Sequence, residues 1–397
     1  MLNTPVPTNE MDRLMDLSEF DIDYSSQQDN FKDLAKLAAK VAGTKISLVN
    51  LIDTFTQWTI SNHGLDIDQM DRTDSVCQYT IVDGDHFEVE DLKNDERFKD
   101  KFYVVDEPNL RYYFGVPLKN EGHNLGALCV LDKDLHTLSP EKIELLKIIA
   151  DEIVNRLKAF KAINNLKSKL HEANESQKKV AHDIRGPLGG IIGLAQIISE
   201  QGHENKLDEV LEFINLIHKS GNSILELADE ILSADKPKAL KSDELNVMML
   251  KDKLDKLYAP QARNKHISFV INIDPETATT PFSKNKLLQI VGNLVSNAMK
   301  FTPAGGKITV DLNMLLGDVQ NILQIKVSDM GVGMDKVAVD AIISGTASST
   351  NGTGGEQGYG FGLALVKHLI ESLRGSLQIH SSPGNGATFE VNLPQDK

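Results

Sequence analysis

The chain has 397 residues, 41% of them hydrophobic and 25% charged, and carries a formal net charge of −15. That length exceeds one ordinary core and implies two or three globular domains. The acidic balance argues against a nucleic-acid partner, which would need a basic face, but it leaves room for a local nucleotide site. The longest apolar runs, such as Ile46 to Ile52, fall far short of the roughly 20 residues of a membrane span, so no membrane insertion is expected. The first residues are acidic and polar, without a signal-peptide core, and the only cysteines are Cys77 and Cys129. Both features suit a reducing compartment, and the expected location is cytoplasmic.

Phe31, Leu34, Leu37, Ala38 and Val41 mark an amphipathic helix within Asn30 to Val41. Strand-like runs follow at Ile46 to Leu51, Gln57 to Asn62, Phe87 to Val89, Tyr112 to Pro117 and Leu125 to Leu131. Turn-forming clusters such as Lys119 to His123 separate them, which predicts an α+β domain with one sheet. No nucleophile–base–acid set and no metal spacing emerges there. The runs Pro108 to Leu118, Gly126 to Asp132 and Leu138 to Pro140, with Asp71 to Cys77 and Asp91 to Phe98, resemble a GAF domain over most of residues 10–155. The resemblance implies a small ligand, unidentified by the sequence, held between sheet and loops, or a role in dimerisation. Trp58, Cys77, Tyr79 and Tyr112 are candidate pocket-liners, although aromatic residues in strands are more often core. Cys77 reads as a buried, inert thiol rather than a redox centre.

A long helix is predicted next, starting at Pro140 behind Ser139 as N-cap. Leu146, Ala150, Ile153, Leu157 and Phe160 step by four and three, as in a coiled-coil seam. After a slip near Ile163 the seam resumes more weakly through Leu166, Leu170, Ala173, Gln177 and Val180. The helix continues into Ala181-His182-Asp183-Ile184-Arg185-Gly186-Pro187-Leu188. Val180, Ile184, Leu188 and Ile191 form its stripe, which turns His182 toward water. Asp183 can hold the proton on one ring nitrogen and leave the other nucleophilic, while Pro187 favours a kink. A lone exposed histidine is usually no more than a solvated side chain. The helix should stop near Gly202, and a second one, from Leu207 to Ile231, should end near Pro237. Two such helices cannot bury their apolar stripe alone, so a homodimeric four-helix bundle is expected.

In the last third, Leu245 to Leu250 and Ile267 to Ile273 read as strands flanking a helix. A helix is predicted from Ser283, its N-cap, to Phe301, then strands at Lys307 to Leu315 and Ile322 to Val327. A helix at Gly362 to Leu373 and strands at Leu377 to His380 and Ala387 to Leu393 complete a two-layer α/β sandwich. Asn293 and Asn297 lie one turn apart on one helix, where both amides can meet a ligand. An amide oxygen suits Mg²⁺ arriving with phosphates, and Lys300 adds a point charge. Asp329-Met-Gly331-Val-Gly333 ends a strand, where glycine admits a close ligand and Asp329 can accept from an adenine amine. Gly358-Tyr-Gly360-Phe-Gly362-Leu363 opens a helix and offers it to phosphate. Gly384-Asn-Gly386-Ala-Thr388 precedes the last strand; by itself it is most simply a tight turn.

Singly these clusters are weak signals. In this order they resemble the nucleotide-binding boxes of the histidine-kinase catalytic domain, a member of the gyrase, Hsp90, kinase and MutL (GHKL) ATPase fold, and the His182 stretch resembles the phosphoacceptor box of the same kinases. The whole chain is thus similar to a GAF-domain sensor histidine kinase of two-component pathways. The expected fold is multidomain: an α+β GAF-like sensor at 1–142, a coiled-coil signalling helix at 143–174, a dimerisation and phosphoacceptor hairpin at 175–240, and an ATP-binding domain at 241–397.

The resemblance implies phosphorylation of His182 from ATP, with Asp183 orienting the ring and Asn297 carrying Mg²⁺ with help from Asn293. It places Lys300, Phe301, Asp329, Gly331, Gly333, Gly358, Gly360, Gly362, Leu363 and Thr388 at the nucleotide. Related ATPases of the fold carry Glu at the Asn293 position to activate water. An amide cannot act as a base, which favours transfer over hydrolysis. The partner implied is the receiver domain of a response regulator, on a separate protein because no receiver-like stretch is evident.

Met334 to Gln357 corresponds to the lid over ATP, but it has no arginine, and Ile342 and Ile343 stand where a phenylalanine pair is common. Gly186, four residues after His182, replaces the Thr or Asn that holds attacking water in kinases that are also phosphatases, which puts phosphatase activity in doubt. The missing lid arginine and the altered phenylalanine pair motivate an alternative: a degenerate kinase or nucleotide-binding scaffold with a regulated binding output.

Overall fold

The computed structural model describes residues 5–25, 29–82, 84–201, 215–216, 218–221, 225, 244–283, 286–317, 320–344, 353 and 360–395. Two compact units emerge, one formed by Met1–Ala162 with Glu244–Lys397 and the other by Ile163–Asp243. The expected second hairpin helix lies almost wholly outside the described residues, as does most of the lid beyond Ser344, including Gly358.

In the first domain, helices α1 (Glu10–Ser18) and α2 (Lys32–Ala42) precede β1 (Ile46–Ile52), β2 (Thr56–His63) and β3 (Gln69–Asp71). Short helix α3 (Cys77–Thr80), β4 (Phe87–Val89), short helix α4 (Phe102–Val105), β5 (Tyr112–Asn120) and β6 (His123–Asp132) follow. The strands form one sheet in the order β3-β2-β1-β6-β5-β4, with every neighbour antiparallel. Strand β1 is central and buried at all its positions, which is why its sequence is an almost unbroken apolar run. One sheet face packs Tyr112, Phe114 and Leu128 against the helices, and the other packs Cys77, Phe98, Tyr113 and Cys129.

Helix α1 is pinned by a buried charge cluster. Glu10 Oε2 meets Arg13 Nε at 2.8 Å, Glu10 Oε1 meets Arg72 Nη1 at 2.6 Å, and Arg13 Nη1 donates to the Ile52 carbonyl at 2.7 Å. Burial pushes the Glu10 carboxyl up, but Arg13 and then Arg72 more than offset this and hold it below its ordinary value. The carbonyl at the end of β1 is thereby tied to α1.

Helix α5 (Pro140–Gln201) is continuous through His182 and Pro187. Its first turns correct the expected seam. Leu146, Ala150, Ile153 and Leu157 are buried in the core of the first domain, and Phe160 packs against that core. A stripe at four-and-three spacing states that one face is covered, not what covers it. The first domain therefore extends beyond 142. Tyr112 is core, as is Cys77, whose Sγ lies 3.8 Å from that of Cys129.

The last third contains β7 (Glu244–Leu245), α6 (Val247–Asn264), β8 (Ser268–Ile273), β9 (Phe282–Ser283) and α7 (Leu287–Phe301). It continues with β10 (Lys307–Leu315), β11 (Asn321–Asp329), α8 (Lys336–Ser344), α9 (Gly362–Ser372), β12 (Ser376–Ser381) and β13 (Ala387–Gln395). Its five-stranded sheet runs β12-β13-β11-β10-β8, antiparallel except for the β8–β10 pair. Alternate residues Ile308, Val310, Leu312, Leu323, Ile325, Val327, Phe389, Val391 and Leu393 form the sheet's share of the core beneath α6, α7 and α9.

Two local expectations fail. Leu245 to Leu250 is not a strand, because Asn246 caps α6 by accepting from Met249 N at 2.8 Å. The apolar residues after it, Val247, Leu250, Leu254, Leu257 and Tyr258, have helical spacing only when read past residue 250. Ser283 is not the α7 N-cap: it lies in β9, paired with Glu244, and α7 begins after Lys286. Replacing Asn246 by Ala is expected to lower stability by about 1 kcal/mol. Denaturant unfolding of the full chain measures this, and an unchanged midpoint would show the cap contributes nothing.

Candidate nucleotide-binding site

Helix α7 divides its residues between core and site. Leu287, Ile290, Val291, Leu294, Val295 and Ala298 are buried in the apolar core. Asn293 and Asn297 are only 3% and 7% exposed. Asn293 Nδ2 donates to the Gln289 carbonyl at 2.9 Å, yet Asn293 Oδ1 and Asn297 Nδ2 are buried without a hydrogen-bond partner. Each such polar end costs about 1–3 kcal/mol when left unmatched, so the pair has the character of a site whose ligand supplies the missing partners. An amide oxygen suits Mg²⁺ bound together with phosphate, so the unmatched Asn293 Oδ1 fits that ion, while Asn297 Nδ2 is a donor that fits a phosphate oxygen. Among the described residues no cluster of His, Cys, Asp or Glu offers an alternative metal site.

The Lys300 ammonium, one turn further on, lies 4.8 Å from the Phe301 ring centroid. Lys265, which carries no signal in the sequence, donates to the Met299 and Lys300 carbonyls at 2.7 and 3.1 Å and so caps the negative end of α7.

Asp329 ends β11 beside α7. Its Oδ1 accepts from Gly331 N at 2.8 Å and from Ala387 N at 3.2 Å. Burial pushes the Asp329 carboxyl above its ordinary value, and those two backbone hydrogen bonds offset only part of the rise. Gly331 and Gly386 make this packing possible. A Cβ on Gly331 would lie 2.5 Å from the Phe301 carbonyl, and one on Gly386, at φ +71°, would lie 1.9 Å from that of Asp329. Gly333 belongs to the same turn, whose Val332 carbonyl accepts from Gly384 N at 2.7 Å. Thr388 sits opposite Ser328 across the β11–β13 ladder and donates to its hydroxyl at 3.0 Å.

Gly362 begins α9, preceded by the exposed Gly360 at φ +80°. A Cβ on Gly362 would be 3.1 Å from Asn293 Oδ1, which places the start of α9 beside the unpartnered amide. Leu363 packs partly buried against the core. The fold thus gathers Asn293, Asn297, Lys300, Phe301, Asp329, Gly331, Gly333, Gly362 and Thr388 from α7, the end of β11 and the turn after it, the start of α9 and the start of β13. His182 and Asp183 lie on α5, in the other unit.

These features define a nucleotide-binding α/β sandwich of the GHKL type joined to a sheet-based sensor-like domain and a long helix. Three family models match the chain: "Histidine kinase-, DNA gyrase B-, and HSP90-like ATPase" at residues 283–397, "GAF domain" at 28–157, and "His Kinase A (phospho-acceptor) domain" at 174–239. The chain thus carries a GAF domain, a His Kinase A phosphoacceptor domain and a histidine-kinase-type ATPase domain, the domain set of a GAF-containing sensor histidine kinase.

Among curated relatives, the autoinducer 2 sensor kinase/phosphatase LuxQ of Vibrio vulnificus is 32% identical over 243 residues, 57% of this chain and 28% of that protein. The histidine protein kinase DivJ of Caulobacter vibrioides is 27% identical over 278 residues, 68% of this chain and 45% of that protein. The chain thus spans less than half the length of either. Among solved structures, the catalytic domain of the histidine kinase ThkA matches with 22% identity and a TM-score of 0.34, covering 39% of this chain and 97% of that one.

Proposed function

We propose that the chain is an ATP-dependent protein-histidine kinase that passes its phosphoryl group to an aspartate of a response-regulator receiver domain. The observation that carries this reading is the pair of buried, unmatched amide ends on α7 beside the start of α9. Asp329, at the other side, accepts an amine of the base, while Phe301 packs near it and Lys300 supplies positive charge toward phosphate. Mg²⁺, held by Asn297 with Asn293, would neutralise phosphate charge.

At the phosphoacceptor, a ring nitrogen of His182 forms a bond to the γ-phosphorus as the bond to the ADP oxygen breaks. Asp183 holds the proton on the other ring nitrogen and favours the positive charge that develops. No side chain at position 293 can deprotonate water, which directs the reaction to histidine. Incubating the full chain with γ-labelled ATP and Mg²⁺ should give acid-labile, base-stable labelled protein. Nucleotide binding without any labelling would instead establish the scaffold reading. The hairpin at 175–240 would pair with a second copy. Among the described residues no helix is long and apolar enough to cross a membrane, which supports a cytoplasmic location.

LuxQ is named a sensor kinase/phosphatase. For this chain Gly186 argues the other way, since glycine offers no group to position water against a phosphoaspartate. Changing Gly186 to Asn is expected to raise dephosphorylation of a labelled receiver domain without reducing autophosphorylation. If loss of label from the receiver is no faster with the variant, the account of Gly186 fails.

A further inference from the structure

The nucleotide site has a neighbour contributed by the first domain. Asp53, Thr54 and Phe55 form the turn between β1 and β2 of the first domain. A Cβ on Gly362 would lie 2.9 Å from Phe55 Cε2 and 3.2 Å from Thr54 Cγ2, as well as 3.1 Å from Asn293 Oδ1. The Phe55 ring centroid is 5.8 Å from Lys300 Nζ. A methyl and a phenyl group therefore stand where the start of α9, the Asn293 amide and the Lys300 ammonium converge. Neither can replace the hydrogen bonds that phosphate would accept or the coordination its cation would offer. Thr54 is 1% exposed, so this turn is inserted rather than resting on the rim.

The insertion belongs to a built contact. Trp58, just after the turn, lies within the apolar core of the ATPase domain, edge-on to Tyr258 at 6.2 Å. Gln69 Nε2 donates to the Leu257 carbonyl at 2.8 Å and Gln69 Oε1 accepts from Gln261 Nε2 at 2.8 Å. Asp23 pairs with Lys253.

We propose that the β1–β2 turn is an autoinhibitory plug. The domain contact and bound MgATP exclude one another, so a signal that frees the first domain from the ATPase domain admits nucleotide. By reciprocity, nucleotide favours release of the first domain. Loading is then a population shift, and apparent affinity is reduced by the fraction of chain that is open. The inference rests on the nucleotide reading of the site.

The test uses the full chain, MgATP titration by calorimetry, and the emission of Trp58, the only tryptophan. Phe55→Ser removes the plug, and Lys253→Glu opposes docking through a residue outside the nucleotide site. Each should tighten MgATP binding, by about tenfold if roughly nine-tenths of the wild-type chain is closed. Saturating wild-type protein with MgATP should shift Trp58 emission to the red as the indole leaves its apolar surroundings. Equal MgATP affinities in wild type and both variants would overturn the plug, and so would unchanged Trp58 emission at saturation. Absence of MgATP binding in every form would overturn the nucleotide site and, with it, the plug.

Discussion

Replacing His182 by Ala is expected to abolish labelling from γ-labelled ATP while leaving MgATP affinity unchanged. The loss should be complete because no neighbouring side chain can take over. Asp183 would form an acyl phosphate with a different stability profile, and Arg185 stays protonated and is not a nucleophile. Affinity should persist because the residues proposed to bind nucleotide lie on α7, β11 and α9, while His182 lies on α5. Asp183→Asn should retain a hydrogen-bond partner for the ring yet lose the charge that favours imidazolium, so its labelling rate should fall without vanishing. The measurement is acid-labile phosphate on wild-type and variant chains, beside calorimetric MgATP titrations. Full labelling in the His182 variant would sink the assignment.

Asp329→Asn should separate binding from stability. The carboxylate is largely buried, its Oδ1 is held by two backbone N–H groups, and its pKa is raised chiefly by desolvation. The sign follows from linkage. A carboxyl whose folded pKa lies above its unfolded value contributes stability that is fully present below the unfolded value and is lost as pH rises through the folded one. At neutral pH the ionised Asp329 is therefore a cost to the fold. Asn keeps an acceptor for the Gly331 and Ala387 amides and removes the charge, so thermal stability at pH 7 should hold or rise. Nucleotide affinity should nevertheless fall about 10- to 100-fold, the scale of a lost hydrogen bond to a charged group. Wild-type affinity should also decline as acid protonates Asp329, at a higher pH than for an ordinary aspartate, and the variant should lack that decline. A variant that loses stability but keeps affinity would reassign Asp329 to a structural role.

Together these outcomes locate chemistry on α5 and base recognition at the end of β11. The plug addresses a separate step, access of nucleotide to the site. Its failure would leave both predictions intact, because neither depends on the first domain.

Much of this was readable in the chain. Strands β1, β4, β10 and β13 stood out because alternating or continuous apolar runs are bounded by glycine, asparagine and aspartate. The Asn293–Asn297 pair was legible because helical spacing alone puts both on one face. Leu245 to Leu250 and Ser283 were misread because short apolar runs and isolated serines are compatible with several conformations. There the hydrogen bond from Met249 N to Asn246 and the pairing of Ser283 with Glu244 decided the outcome. The stripe from Leu146 to Phe160 was correctly seen as a covered face and wrongly assigned its cover, since periodicity fixes an angle around a helix and not a partner.

The linear chain already defines which chemistry is available: a histidine beside an acid on a helix, two amides one turn apart, an aspartate before glycines, and the order of these groups along the chain. Those are local patterns, set by spacing and side-chain type. Folding leaves Asn293 and Asn297 with unmatched buried ends, brings Lys265 onto the end of the helix bearing them, and sets Phe55 against the place where α9 begins. Such facts depend on contacts between residues tens to hundreds of positions apart, where no sequence period operates and packing alone chooses the neighbour.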